Sequence, residues 1–125
     1  MKKRILIAVL AVTATSCYNV ERNCKDFKTG KFQFEYEVDG VKKISDFVRN
    51  DTLEVGTFEG KEYSSTVRWV SDCEYILQRI NPKNIAESKA IQMNILSTTE
   101  NSYTFEFSNI GESKKQKGTV TKINN

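Results

Sequence analysis

From Lys31 to Val38 the chain alternates. Phe32, Phe34, Tyr36 and Val38 fall on one parity, and Lys31, Gln33, Glu35 and Glu37 on the other. A period of two with one apolar and one charged face predicts a half-buried strand. Asp39-Gly40 follows and suits the left-handed positions of a two-residue hairpin. A second strand is expected over Val41–Arg49, with a less regular pattern, before the turn residues Asn50-Asp51. Leu53 and Val55, continued by Thr57, mark a third strand that ends at Glu59-Gly60-Lys61. In the fourth, Tyr63, Ser65, Val67 and Trp69 share a face. After Ser71-Asp72 the alternation resumes at Cys73, Tyr75 and Leu77. The single proline, Pro82, opens a segment over 82–89 that predicts one or two helical turns. Ile91, Met93 and Ile95 mark a sixth strand, and Tyr103, Phe105 and Phe107 a seventh. A polar loop then leads to an eighth over 118–123.

Eight short strands joined mainly by tight turns predict an all-β, antiparallel up-and-down meander. Closure into a small barrel removes both exposed edges. An open sheet curled over the Pro82 segment is the competing architecture. The strand order and the opening Thr29-Gly30-Lys31-Phe32 resemble lipocalin-like barrels, which often begin on a Gly-x-aromatic strand. That resemblance implies an interior able to hold a small hydrophobic ligand. The aromatic residues Phe32, Phe34, Tyr36, Trp69, Tyr75, Tyr103, Phe105 and Phe107 fall mostly on faces expected to point inward. So many rings predict a filled interior. The alternative is a shallow apolar cup at one barrel mouth, with Tyr36, Trp69, Tyr75, Tyr103 and Phe105 as contacts and Arg68 or Arg79 as the cation.

The N-terminus carries a different signal. Met1-Lys2-Lys3-Arg4 is basic, Ile5 to Val12 is an unbroken apolar run, and Thr13 to Ser16 are small. The run is about half the ~20 residues of a spanning helix, so it reads as an export signal over 1–16. Ala14-Thr15-Ser16-Cys17 resembles the lipobox of bacterial lipoproteins, although that motif usually has Leu where Ala14 stands. The resemblance implies lipidation of Cys17, a tether over 17–23 and a single domain over 24–125. Cleavage after Ala14 or Ser16 to give a soluble secreted or periplasmic protein is the alternative. Tyr18 to Glu21 lack an acidic cluster, so a periplasm-facing place in the cell envelope is expected, with the membrane as partner through the anchor.

Loss of the leader changes the charge. Lys2, Lys3 and Arg4 account for the whole net charge of +3, and without them the chain is neutral. A neutral domain has no global field to attract nucleic acid, and none is expected as a partner. Lys114, Lys115, Lys117 and Lys122 read as a solvated surface without interleaved aromatics. In an exported chain the remaining cysteines, Cys24 and Cys73, are expected to form a disulfide. Two buried free thiols are the alternative. With no histidine and no Cys-x-x-Cys spacing, no metal or other cofactor is expected.

The absence of histidine also removes the commonest general base, and neither a Gly-x-Ser-x-Gly nor a Ser-x-x-Lys motif occurs. Glu35 and Glu37 share a face with Lys31 and Gln33, which reads as solvent. A non-enzymatic envelope protein is therefore expected, binding a small hydrophobic ligand or a protein partner. A ligand-free structural or assembly factor is the alternative.

A second resemblance covers most of 24–123. Cys24 to Gly30 (Cys-Lys-Asp-Phe-Lys-Thr-Gly), Arg68-Trp69, Asp72-Cys73-Glu74 and Asn81-Pro82-Lys83-Asn84 resemble a group of small exported bacterial proteins. Some of these carry the label DNA topoisomerase IV. Such an enzyme needs a nucleotide site, metal-binding carboxylates and a cleavage tyrosine on a large basic frame. This short chain has no phosphate-binding Gly-rich loop, and a topoisomerase role is not expected.

Overall fold

The computed structural model describes residues 20–124. The leader and Cys17 lie outside the described residues. The strands are β1 (Gly30–Val38), β2 (Val41–Arg49), β3 (Leu53–Phe58), β4 (Lys61–Trp69), β5 (Glu74–Arg79), β6 (Ile91–Thr98), β7 (Ser102–Asn109) and β8 (Gln116–Asn124). Each pairs antiparallel with the next, and β8 pairs with β1 to close the barrel. This closure rules out the open sheet. A short helix, α1 (Ile85–Ser88), lies within the expected helical segment, and a 3-10 turn (Cys24–Phe27) precedes β1. No described helix is long and apolar enough to cross a membrane.

Local chemistry explains the hairpins. Asp39 and Gly40 both take positive φ, as do Glu59 and Gly60. Two consecutive left-handed residues match the right-handed twist of the flanking strands. The β2–β3 turn is different. Asn50 Oδ1 accepts hydrogen bonds from the backbone N–H groups of Thr52 (3.0 Å) and Leu53 (2.8 Å). This side-chain turn sets the register so that Arg49 faces Glu54.

Register assigns the faces. Phe32 and Phe34 point inward on β1, while Lys31, Gln33 and Glu35 are exposed. Inward pairs follow around the barrel: Phe47 with Gly56, Glu54 with Ser65, Val67 with Leu77, Tyr75 with Met93, and Ile95 with Phe105. The third strand departs from its sequence pattern. Glu54 and Gly56 face inward, so Leu53 and Val55 lie on the opposite face. On β2 the apolar Ile44 and Val48 are 58% and 50% exposed, because Arg49 and Phe47 hold the inward phase.

The up-and-down order gives the barrel two unlike ends. The β2–β3, β4–β5 and β6–β7 turns lie at one end, and the other four connections at the opposite one. The first end is closed. Cys24 and Phe27 of the 3-10 turn are buried beneath it, and Cys24 forms a disulfide with Cys73, just before β5. The arm before Cys24 is held at this end too. Thr98 donates its N–H to the Glu21 carbonyl (2.8 Å), and Asn23 donates its N–H to Thr98 Oγ1 (2.8 Å). Arg22 Nη2 donates to the Ile95 carbonyl (2.9 Å), beside the register shift in β6.

Candidate functional site

The floor of the interior is built around one buried cation. Arg49 is fully buried, with a side-chain exposure of 0%. Its Nη1 donates to Glu54 Oε1 (3.1 Å), Tyr75 Oη (3.0 Å) and Tyr103 Oη (3.3 Å). Nε donates to the Lys28 carbonyl (3.2 Å), and Nη2 donates to the Phe27 carbonyl. The guanidinium lies 4.7 Å from the Phe32 ring centroid and 4.8 Å from that of Tyr75. Trp69 packs on Tyr75, and Phe27 meets Tyr103 edge-on at 5.3 Å. The planar, permanently charged group thus uses its donors on two carbonyls, a carboxylate and two phenols.

The electrostatics follow from this packing. Burial opposes the Arg49 charge, but Tyr75, Tyr103 and Glu54 around it outweigh that and raise its pKa. Burial pushes the Glu54 carboxyl up, and Arg49 pulls it part of the way back. Arg49 keeps its proton at any working pH and faces the Glu54 carboxyl at 3.1 Å. Burial also raises both phenols above the ordinary tyrosine value of 10.0. In the unfolded chain these tyrosines release protons near their ordinary value, while the folded state retains them. The fold therefore binds more protons in that window, and stability falls as the pH rises through about 10. Thermal melting followed from neutral to alkaline pH is expected to show this decline. Tyr75→Phe is expected to flatten it; an unchanged slope would contradict the cluster.

Above the floor the barrel is hollow. A cavity of about 530 Å³ opens toward the end opposite the 3-10 turn. That lies within the usual range for small-molecule sites. Its apolar wall comes from Phe34 and Phe47, from Leu77 on β5, from Ile91 and Met93 on β6, and from Phe105 and Phe107 on β7. Residues with polar groups are Glu54, Ser65, Tyr75 and Tyr103 near the floor, Ser45, Thr57 and Tyr63 on the wall, and Arg79, Asn84, Glu87 and Lys89 toward the mouth. The segment carrying α1 forms part of the rim. Asn84 Oδ1 caps it by accepting from the Glu87 N–H (2.8 Å), and Glu87 Oε2 accepts from the Lys83 N–H (2.7 Å). Gln78 Nε2 ties it to β5 by donating to the Ser88 carbonyl (2.6 Å).

Gly118 helps to shape this space. A Cβ there would lie 2.8 Å from Phe105 Cζ and 2.9 Å from Phe34 Cε2. Those rings can yield only by moving. Gly118→Val is expected to lower unfolding free energy by about 1–3 kcal/mol, measured by urea denaturation. A fully stable variant would contradict the close packing.

The sequence-predicted site residues divide. Tyr75, Tyr103 and Phe105 line the cavity, as does Arg79. Arg68 does not: it is exposed, and the alternation that turns Val67 and Trp69 inward turns it outward. Trp69 packs in the floor against Tyr75 instead of lining the cavity. Tyr36 is half-buried and stacks on Phe58 at 4.8 Å, outside the cavity lining. The expected filled interior is correct only for the lower part of the barrel. Cys24 and Cys73 are joined as expected, and Cys17 lies outside the described residues.

Two central residues, Arg49 and Glu54, were not singled out from the sequence. A signal for them existed. A turn at Asn50-Asp51 brings 49 and 54 opposite each other, and Arg49 shares the parity of Phe47. Arg49 engages Oε1 of Glu54, the carboxylate of the floor. Among the described residues no group of three or more His, Cys, Asp or Glu is placed to hold a metal ion. Comparison with known protein families, curated proteins and solved structures finds no match to the chain.

Proposed function

We propose that this is an exported, lipid-anchored binding protein of the bacterial cell envelope, without catalytic activity, whose barrel holds a small hydrophobic ligand. The observation that carries this reading is the mostly apolar cavity of about 530 Å³, open at one end above a floor cross-linked by Arg49 and the disulfide. An open, largely apolar cavity of this size with convergent polar groups is the usual form of a small-molecule site. Export is supported by the basic and apolar leader and by the Cys24–Cys73 disulfide, a bond of oxidising compartments.

The anchor and the mouth would lie at opposite ends. Glu21 and Asn23 are bonded to the closed end, and Cys17 is only three residues before Val20. Three residues reach roughly 10 Å at most. Acyl chains on Cys17 would therefore hold the closed end near the lipid and turn the mouth away from it.

Titration with N-phenylnaphthylamine, an uncharged apolar dye, tests the binding reading. Saturable fluorescence enhancement is expected, and it should be lost in Leu77→Trp, which fills the cavity. The exposed Arg68→Ala is expected to bind normally. Absence of saturable binding, or binding indifferent to Leu77→Trp, would contradict the reading. The alternative of a structural or assembly protein draws on one observation, the exposed apolar Ile44 and Val48 on the outer face of β2.

A further inference from the structure

The polar groups of the cavity differ in whether they are already matched. At the mouth the inward cations have partners. Arg79 Nη1 lies 3.6 Å from Glu87 Oε1, and its guanidinium lies 4.2 Å from the Tyr63 ring centroid. Lys89 Nζ lies 3.2 Å from Glu112 Oε1. An anionic head group would have to compete with these carboxylates.

The floor is different. Glu54 on β3 and Ser65 on β4 are register partners, and both line the cavity. Glu54 keeps 16% side-chain exposure inside a closed barrel wall. Arg49 occupies Oε1. Among the described residues no side-chain hydrogen bond engages Oε2 of Glu54 or Oγ of Ser65, and both residues open onto the cavity. A carboxylate oxygen and a hydroxyl are thus carried by cross-strand partners on the cavity wall, which Phe34, Leu77, Met93 and Phe105 also line. Polar groups left unmatched in an apolar site are costly unless a ligand or water satisfies them.

We propose that Glu54 and Ser65 form a subsite for a hydroxyl group, so that the cavity takes an uncharged, long-chain alcohol-type ligand with its polar end first. This rests on the cavity being a ligand site and names its ligand class. One hydroxyl satisfies both groups: its O–H donates to Glu54 Oε2, and its oxygen accepts from the Ser65 O–H. A carboxylate in the same place has no proton for Glu54 and meets a like charge. An ammonium group would bring a second cation close to Arg49 and exchange full hydration for one carboxylate oxygen. The alkyl body of the alcohol lies against the aromatic and aliphatic wall.

Competition against bound N-phenylnaphthylamine at neutral pH separates these classes. Decanol, decanoate and decylammonium share one chain length and differ only in the head group. Decanol is expected to displace the dye at roughly tenfold lower concentration than either ion. Ser65→Ala removes one of the two contacts without touching Arg49, and it should weaken decanol while sparing the dye. Glu54→Gln keeps an acceptor for Arg49 but offers an N–H₂ group, so it should improve decanoate. Ser65→Ala carries the test alone if Glu54→Gln does not fold. Equal or better competition by decanoate or decylammonium, with dye binding intact, would overturn the subsite and leave the cavity reading standing. So would an unchanged preference in Ser65→Ala. Failure of the dye itself to bind would overturn both.

Discussion

Arg49→Met is expected to destabilise the protein by about 3–5 kcal/mol in urea denaturation. Methionine has a similar stem, so little volume is lost. The cost arises because the partners stay behind. Glu54 becomes a buried carboxylate with no counter-ion, and the phenols of Tyr75 and Tyr103 lose their common donor. The carbonyls of Phe27 and Lys28 lose theirs as well. Arg49→Lys is expected to recover little, because a single ammonium cannot donate in all these directions. Removing the stranded charge should help more, so Arg49→Met combined with Glu54→Leu is expected to be more stable than Arg49→Met alone. A loss below about 1 kcal/mol for Arg49→Met would resemble a surface ion pair and contradict the central role of this cluster.

Replacing Cys24 and Cys73 together by serine is expected to cost about 4 kcal/mol, given their separation of 49 positions. The bond restricts the unfolded chain, and it also holds the 3-10 turn against the barrel. Phe27, buried in that turn, packs on Tyr103, and its carbonyl accepts from Arg49. Once the turn is released, the floor above it loses one wall. The urea midpoint is expected to fall, and amide hydrogen exchange over 24–28 to accelerate more than in β6 and β7. Uniform acceleration across the barrel would show that the bond acts through the unfolded chain alone. An unchanged midpoint would remove the disulfide from the account of stability.

These two sites also show what the amino-acid pattern could reveal. Strict alternation in β1 and β7 and the Asp39-Gly40 turn were enough to predict those strands and the inward faces of Phe32, Phe34, Tyr103 and Phe105. They work because one side of each strand meets water, so polarity reports direction. The same logic failed on β2 and β3. Arg49 and Glu54 carry inward positions, while Ile44 and Val48 stand in solvent. A buried ion pair inverts the polarity rule locally, and only the register imposed by Asn50 reveals it. Arg68 was misplaced by chemistry overriding phase: a cation seemed apt beside aromatic rings, yet its neighbours Val67 and Trp69 fix it outward.

The hollow upper barrel was the hardest feature to foresee. Eight aromatic rings suggest a full interior. Instead Phe32, Trp69, Tyr75 and Tyr103 gather around one guanidinium at the closed end. Clustering depends on where each strand starts relative to its neighbours, and composition carries no such information. The 3-10 turn was equally hidden, because four residues are too few to show a period.

Methyl nuclear magnetic resonance during titration with decanol tests most directly whether the barrel interior is a binding site. Signals of Leu77, Ile91 and Met93, which line the cavity, are expected to shift together and saturate, while the outward Ile44 and Val48 stay still. Saturating shifts confined to Ile44 and Val48, or no shift in the inward methyls, would contradict a ligand-holding barrel.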